Sequence, residues 1–399
     1  MNYKILLPFL LCLSACHSSP EKIDETTPVA QRKGQLQLAT NTIRRLEVDQ
    51  FIGDIRITPS DTAAVRVDYR IELHSATAAQ AQLLLSQINP VLHASGDTLQ
   101  LHIDLDDAVP AELLLPRASF KLGYFIGSGS TRTIRYQQRE FQLKSRPDHN
   151  SPAFFVHLDV KVPAGMTLKV QQALGDLYAG QLRNALELAS PAGQIQLERL
   201  QQANTHITAA KRLSISHHRG DLRLTNTGRE VLLSDIQGQI QAQHQGELFS
   251  LSQFQGALQL NAQGGEIRLQ QLTGPVTLQS SDARVQLTQL HGPLRYKSHN
   301  GSLQLSQANG DLDLSSYNGP IALAEGVQAQ QLQIVTDRGI IRLQQWPVQA
   351  KRIEIRNRAG LLQSPVPLPA SCKPQQNAQH QPCFVESAVG SISPANTTN

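Results

Sequence analysis

Residues 256–323 read, in blocks of nine, GALQLNAQG, GEIRLQQLT, GPVTLQSSD, ARVQLTQLH, GPLRYKSHN, GSLQLSQAN, GDLDLSSYN and GPIAL. Nearly every block opens with Gly and carries apolar side chains at its third and fifth positions. An apolar side chain at every second position is typical of a β-strand with one buried face. A fixed repeat of this length indicates a solenoid or a related repeat architecture.

The pattern extends backwards in steps of nine to Met166, which gives eighteen units between residues 166 and 319. The unit that opens at Gln202 fits poorly, because Asn204 and His206 stand where apolar residues are expected. Gly supplies a positive φ at the corner between units, often directly after an Asn such as Asn300. We therefore expect one strand and one glycine corner in each unit.

Two kinds of unit alternate along the chain. Leu272, Leu290 and Ala308 precede one set of corners, whereas polar pairs such as Ser281-Asp282 precede the other set. Two units of nine thus make one coil of about 18 residues, and nine coils stacked about 4.8 Å apart would form a prism on the order of 40 Å long. Because parallel crossovers are right-handed by default, the sequence predicts an all-β, right-handed parallel β-solenoid. Its core should stack these residues one above another: Leu258, Val276, Leu294 and Leu312.

The first residues have the features of a bacterial signal peptide. Lys4 gives a positive start, and residues 5–13 form an apolar run that is too short for a permanent membrane span. Leu13-Ser14-Ala15-Cys16 follows and resembles the lipobox of bacterial lipoproteins, which implies cleavage before Cys16 and lipid attachment to its thiol. The same resemblance, with His17 in place of Asp, implies the outer membrane, facing the periplasm or the cell surface. The alternative is an ordinary signal peptide that contains a Cys by chance.

Composition limits the class of partner. The net charge is +4 and only Lys4 is charged within residues 1–15, so the mature chain would carry +3, which argues against nucleic-acid binding. Cys12 lies in the signal peptide and Cys16 is the lipid site, which leaves Cys372 and Cys383 as one pair in an oxidising compartment. We predict a disulfide between these two residues. We predict no metal site and no cofactor, since no further ligands are grouped with them.

Residues 35–165 are predicted to form an α+β cap at the N-terminal end of the solenoid. Within it, Thr77 to Ile88 has one apolar face typical of a helix, which Pro90 ends. From about residue 35 to 345 the chain resembles the DUF4097 β-strand-repeat family, also called adhesins. The resemblance implies the solenoid architecture, but no active site that could be carried over. It rests on short motifs: Leu46-Glu-Val48, Gly53-Asp-Ile55, the Ala-rich helix, Gly96-Asp-Thr-Leu99, Val160-Lys-Val162-Pro-Ala-Gly165, Leu168-Lys-Val170 and Gly175-Asp-Leu177.

Residues 117–155 depart from the family pattern and interleave basic with aromatic side chains. Gly127-Ser-Gly129 would turn a hairpin between two strands. A projecting hairpin of this kind would grip an anionic polymer, a glycan or a lipid headgroup. The alternative is a hairpin that packs its aromatic residues on the cap and leaves its cations in solvent. The candidate binding patch consists of Lys121, Tyr124, Phe125, Arg132, Arg135, Tyr136 and Arg139.

The chain thus divides into five predicted regions. They are a signal peptide (1–15), a flexible tether (16–34), the cap (35–165, with its insertion 117–155), the solenoid (166–362), and a Pro-rich tail with the disulfide (363–399). Ile353-Glu-Ile355 is the last predicted strand, and Pro365, Pro367 and Pro369 are expected to end regular structure.

Residues for catalysis are scattered in the sequence. His217 and His218 are adjacent, so on a strand they would point to opposite faces and could not bind one metal together. Asp176, Asp221 and Asp311 each follow a corner Gly, where turn chemistry explains them. They lie on different coils and would not converge as polysaccharide cleavage requires. The sequence contains no Gly-x-Ser-x-Gly, His-Glu-x-x-His or P-loop motif.

We therefore expect a non-catalytic cell-envelope lipoprotein, either an adhesin-like scaffold or a binding module, held at the membrane through Cys16. Its partner would be an envelope glycan or an envelope protein. Two alternatives stay open: a polysaccharide-acting β-helix enzyme, and a mechanical or assembly partner of an envelope signalling system. The sequence leaves the ligand and the oligomeric state undetermined.

Overall fold

The computed structural model describes residues 28–74, 78–114, 131–144, 153–201, 204–345, 352–359, 361–364 and 383–387. These residues form one helix and thirty strands, and 27 of the strands belong to one continuous sheet. The N-terminal elements are β1 (Ala30–Ala39), β2 (Arg45–Ile52), β3 (Ile55–Pro59), β4 (Ala64–His74), α1 (Ala78–Gln87), β5 (Ile88–Ser95), β6 (Thr98–Leu105), β7 (Glu112–Leu114), β8 (Thr131–Tyr136), β9 (Arg139–Lys144) and β10 (Ala153–Val162).

The elements after the cap are all strands within the described residues. They are β11 (Thr167–Leu174), β12 (Leu177–Gly180), β13 (Leu186–Glu198), β14 (Thr205–Arg219), β15 (Leu222–Gln237), β16 (Ile240–His244), β17 (Leu248–Gln255), β18 (Leu258–Ala262), β19 (Glu266–Thr273), β20 (Val276–Ser280), β21 (Arg284–His291), β22 (Leu294–Ser298), β23 (Ser302–Asn309), β24 (Leu312–Ser316), β25 (Ile321–Leu323), β26 (Gln331–Thr336), β27 (Ile341–Leu343), β28 (Arg352–Asn357), β29 (Leu362–Gln363) and β30 (Cys383–Ser387).

The predicted parallel β-solenoid is confirmed, with about ten coils stacked at intervals of about 18 residues. Leu258 pairs in parallel with Val276, Val276 with Leu294, and Leu294 with Leu312, and all four side chains are buried. Each coil therefore adds its apolar side chains to a continuous interior. A single coil could not bury enough apolar surface to stand alone, so the stability of each coil depends on its neighbours.

Each coil has two strands and two different corners. The first strand of a coil, such as β22, lies in one column of parallel strands (face 1), and the second strand, such as β23, lies in another column (face 2). Corners from face 2 to face 1 carry Gly at positive φ, as at Gly256 (+145°) and Gly274 (+120°).

The predicted positive φ is wrong for the corners from face 1 to face 2 at Gly301 and Gly319. Neither residue has a positive φ, yet an added Cβ would overlap the carbonyl oxygen of Ala283 or Gly301, one coil below. Gly is needed there because two backbones approach closely, not because of a left-handed conformation.

The irregular unit at Gln202 results from a one-residue shift of register. Thr205 pairs with both Leu186 and Leu222, which lie 19 and 17 residues away instead of 18. Thr205 and Ile207 therefore point into the core, and the expectation that Asn204 and His206 hold the inward positions is wrong. A strict walk in steps of nine misses this shift, because the strands on face 2 keep the spacing of 18 on either side of it.

β2 and β3 belong to the solenoid although they precede most of the cap. Leu46 on β2 pairs in parallel with Leu168 on β11, and Ile55 on β3 pairs with Leu177 on β12. The opposite edges of β2 and β3 are covered by β6 and β10. These edges are therefore paired, which prevents edge-to-edge association at this end of the solenoid.

The cap contains the predicted helix. It runs from Ala78 to Gln87 and buries Ala81 and Leu85, while Ile88 begins β5 and is buried as well. The helix ends before Pro90, which lies inside β5. β1 pairs with β4, β4 with β10, and β5 with β6, all antiparallel. This mixed arrangement explains why the regular repeat is absent from residues 60–152.

A hairpin is present in the predicted insertion, but it turns at a different place. β8 and β9 pair in antiparallel register around Gln137 and Gln138, whose φ angles are +47° and +65°. Two successive positive φ angles are typical of a two-residue hairpin turn. The proposed turn at Gly127-Ser-Gly129 lies outside the described residues. β7 adds a third, parallel strand beside β9.

The C-terminal strands extend further than predicted. Ile353 and Ile355 lie on β28 as expected, but β30 pairs in parallel with β28 and places Cys383 beside Ile353. Regular structure therefore resumes after the prolines, which corrects the expected end. Cys16 and Cys372 lie outside the described residues, as do the signal peptide and most of the tether, so the lipid and disulfide predictions stay predictions. No described helix is long and apolar enough to cross a membrane.

Candidate functional site

A row of exposed Gln side chains runs along the face 2 to face 1 corner of the solenoid. The four residues of this amide corner recur every 18 residues, and all have φ between +51° and +61°: Gln253, Gln271, Gln289 and Gln307. Positive φ is uncommon in residues other than Gly and carries some backbone strain. The bend lets the following side chain, such as Leu272 or Leu290, turn into the core. The Gln side chains consequently stack in solvent, one per coil, about 4.8 Å apart.

The amide groups of these four Gln residues are available to a ligand. Within the described residues no hydrogen bond joins one of these amides to the next, whereas Asn318 donates a hydrogen bond of 2.9 Å to Asn300 at the opposite corner. An open groove of about 530 Å³ follows the amide corner and is also lined by Thr273, His291 and Asn309. It therefore presents hydroxyl, amide and imidazole groups and no carboxylate, lysine or arginine side chain.

A second polar cluster lies where the cap meets the first coil. The junction cluster consists of Asp54, Arg70, Glu72 and His157. β10 lies between β3 and β4, so His157 stands 3.5 Å from Asp54 through Nδ1 and 3.4 Å from Glu72 through Nε2. Arg70 completes the cluster with an ion pair of 2.9 Å to Glu72. A cleft of about 390 Å³ opens beside it.

Charge pairing decides the protonation of the junction cluster. Burial disfavours the charged imidazole, but the hydrogen bond and the negative charge of Asp54, helped by Glu72, raise the pKa of His157 above its usual value. Burial likewise opposes ionisation of Asp54, but hydrogen bonds from His157 and from the backbone N–H of Asp176 hold the pKa of Asp54 below its usual value. Each group is thus stabilised in its charged form by the other.

The three aspartates that follow a corner Gly do not converge. Each accepts a backbone N–H of the next coil at 3.1 Å: Asp176 from Gln194, Asp221 from Gln239, and Asp311 from Gln331. The prediction that local backbone chemistry explains these residues is supported, although the hydrogen bonds join neighbouring coils rather than one turn. They fasten one coil to the next.

His217 and His218 point to opposite sides, as predicted. His217 is exposed and lies 2.6 Å from Asp235, whereas His218 is buried in the apolar column between Leu200 and Ile236. Burial lowers the pKa of His218. No group of three possible ligands suited to a metal ion occurs among the described residues.

The predicted binding patch is only partly described. Lys121, Tyr124 and Phe125 lie outside the described residues, and only the backbone of Arg132 is placed. Arg135 is exposed and forms an ion pair of 2.6 Å with Glu140.

Tyr136 and Arg139 are used inside the cap. The Tyr136 hydroxyl lies 3.1 Å from the carbonyl oxygen of Asp49 and accepts a hydrogen bond from the backbone N–H of Ile103, and its ring packs 5.1 Å from that of Phe51. Arg139 donates hydrogen bonds of 2.9 and 2.7 Å to the carbonyl oxygens of Asp106 and Val109. These two residues therefore do not contribute to an exposed patch, and the packed alternative describes them better.

The most regular exposed feature, the amide corner, was absent from the sequence-based predictions. A signal for it exists, since Gln recurs every 18 residues at 253, 271, 289 and 307. The junction cluster gives no such signal, because Asp54, Glu72 and His157 are brought together only by the pairing of β10 with β3 and β4.

Comparisons with known proteins leave the function open. No family model matches the chain, and no curated protein matches it. Among solved structures, a "putative cell adhesion protein" from Clostridium sporogenes is similar at 9% identity over 84% of this chain and 99% of that chain, with a TM-score of 0.19. A TM-score this low supports neither the fold nor a function. The resemblance to the DUF4097 family therefore rests on the short motifs alone.

Proposed function

We propose that the chain is a non-catalytic cell-envelope lipoprotein whose solenoid acts as an adhesin-like scaffold that binds a polysaccharide along the amide corner. The observation that carries this proposal is the stack of Gln253, Gln271, Gln289 and Gln307, whose amide groups are not joined to one another by hydrogen bonds. An amide offers both donors and acceptors, which suits a ligand rich in hydroxyl groups.

A repeated row of groups favours a repeated ligand. Each coil of the amide corner presents the same amide at the same backbone angle. Each sugar of a bound chain would contribute only a weak interaction, since hydrogen bonds exposed to water add roughly 0.5–1.5 kcal/mol each. Several such interactions on one rigid scaffold add up without a new ordering cost at every step. The absence of charged side chains from this groove favours a neutral sugar chain.

The test compares two double variants of the full chain in detergent. Gln271→Ala with Gln289→Ala removes two amides from the corner, whereas Gln286→Ala with Gln304→Ala removes two exposed amides from face 2. We expect the wild type to bind a neutral polysaccharide on a glycan array. The corner variant should bind it about tenfold more weakly, and the face 2 variant should bind it normally. Absence of glycan binding by the wild type, or equal losses in both variants, would refute the proposal.

Attachment to the envelope is a separate part of the proposal, supported by the lipobox-like sequence at Cys16. Labelled palmitate should be incorporated into the wild-type chain and not into Cys16→Ser. Protease treatment of intact cells would then distinguish the cell surface from the periplasm. Labelling of Cys16→Ser equal to that of the wild type would contradict the assignment of the lipid site.

A second candidate function is polysaccharide cleavage at the junction cluster. It is favoured by one specific observation: Asp54, Glu72 and His157 converge beside a cleft, which gives two carboxylates and an imidazole in one place. Such groups can supply acid and base catalysis. Turnover of any glycan in a broad screen, lost in Glu72→Gln and retained in Asp221→Asn, would favour this candidate over a scaffold.

A further inference from the structure

The corner opposite the amide corner carries a stack of aromatic and basic side chains near the C-terminal end of the solenoid. The basic–aromatic corner consists of Lys297, His299, Tyr317, Arg338 and Arg358. The rings of His299 and Tyr317 stack nearly parallel, with centroids 4.9 Å apart and an interplanar angle of 8°. The guanidinium of Arg338 lies 5.7 Å from the centre of the Tyr317 ring. The solenoid therefore holds Tyr317, one of its few exposed large hydrophobic residues, in a fixed orientation.

Positive charge exceeds negative charge at this corner. Asp337 is the carboxylate that both arginines share, 3.9 Å from Arg338 and 3.7 Å from Arg358. Both distances are long for a charge-assisted hydrogen bond, and both guanidinium groups are largely exposed, at 66% and 85%. Lys297 adds a third exposed cation at the same groove. Three cations around one carboxylate leave a net positive site.

The shape of the corner suits a chain-like ligand better than a small ion. The groove has a volume of about 770 Å³ and spans several coils, from Gln279 on β20 to Arg358 beyond β28. Ser315 and Gln279 add uncharged polar groups between the cations. A ligand there would meet hydroxyl and amide groups together with basic groups, and the exposed edge of Tyr317.

We propose that the basic–aromatic corner binds an anionic polysaccharide, with Arg338, Arg358 and Lys297 contacting its carboxylate or phosphate groups. A guanidinium group matches the two oxygens of either anion with two parallel donors, while an ammonium group acts as a point charge. His299 and Arg338 cover the two faces of the Tyr317 ring, so a sugar would contact its edge and hydroxyl group. This inference goes beyond the proposed function, because it concerns the opposite corner and a charged ligand.

The experiment measures binding of the full chain in detergent to three immobilised polymers: polygalacturonate, a phosphomannan and neutral dextran. We expect binding to at least one of the two polyanions that weakens steeply with salt, since charge–charge contacts are screened. Arg338→Gln with Arg358→Gln should weaken that binding at least tenfold. Lys297→Gln should weaken it by a smaller factor, and it gives an independent reading if the double variant folds poorly.

A matched control separates a site from a general effect of charge. Arg223→Gln with Arg284→Gln also removes two exposed positive charges from the solenoid, but away from this corner. We expect less than a twofold change in this control. Equal weakening in the control and the corner variant, or no binding of either polyanion by the wild type, would overturn the inference. The amide-corner variant should keep its affinity for the polyanion, so failure of one proposal leaves the other testable.

Discussion

Gly256→Ala tests the stacking of corners directly. Gly256 has a φ of +145°, which side chains rarely tolerate, and an added Cβ would overlap the carbonyl oxygen of Gly238 in the coil below. The clash cannot be relieved by rotating a side chain, because the atoms it meets are backbone. Gly264 is the matched control: it lies in the same coil at a φ of +74°, and an added Cβ would meet no atom within 4 Å.

The difference between the two variants isolates the cost of the overlap. Both replace Gly by Ala, so the loss of freedom in the unfolded chain is similar and largely cancels. Gly264→Ala should cost about 1–2 kcal/mol for a left-handed Ala. Gly256→Ala carries backbone strain of roughly 1–3 kcal/mol. Relief of the overlap also has to move two coils apart, which weakens the bonds from Gly256 N–H to Thr273 and from Gly238 N–H to Gln255, at 2.9 and 3.0 Å.

We expect Gly256→Ala to lower the free energy of unfolding by about 2–4 kcal/mol more than Gly264→Ala, with each weakened hydrogen bond contributing roughly 1 kcal/mol. The shift of the urea midpoint measures this difference. Hydrogen exchange should locate it, since amide protection would fall first in the coils next to residue 256. Equal midpoints for the two variants, within about 0.5 kcal/mol, would refute the idea that close contact between coils requires Gly at this corner.

Three further variants test single contacts. Asp221→Ala should lower the free energy of unfolding by roughly 1–2 kcal/mol, because the Gln239 N–H loses its acceptor, and Asp221→Asn should restore most of the loss. Tyr136→Phe should cost about 1–3 kcal/mol and lower the melting temperature, and no change would contradict the buried position of its hydroxyl. Burial lowers the pKa of His244 from 6.5 to about 4, so the folded chain favours the neutral ring and the unfolded chain takes up the proton first. Stability should therefore fall by roughly 2–3 kcal/mol between pH 6.5 and 4, and His244→Gln should flatten this fall.

The solenoid could be predicted because its cause is local. Every coil repeats the same alternation, so Leu258, Val276 and Leu294 reveal their shared interior through spacing alone. The shift at Thr205 was lost because its hydroxyl does not look like a core side chain, although it is nearly fully buried. Periodicity predicts where a regular strand lies, but it does not report a compensated insertion.

The junction cluster could not be predicted, since its cause is not local. Glu72 and His157 are 85 residues apart, and they meet only because β10 runs antiparallel to β4. Many pairings of the cap strands would satisfy the same alternation of apolar residues. The choice among them depends on packing, for example of Phe51 against Phe141 and Phe154, and this packing has no sequence period.

The two corners of the coil differ in what their backbones require, and this difference separates structural from functional residues. At the face 1 to face 2 corner, close contact explains Gly301, and the hydrogen bond from Asn318 explains Asn300. At the amide corner the backbone requires only a residue that tolerates positive φ, and Gly or Asn would do so with less strain than Gln. Backbone geometry therefore does not account for the choice of Gln271 and its three equivalents. Their amides are not joined to one another either, which leaves contact with a ligand as the reason that the observations favour.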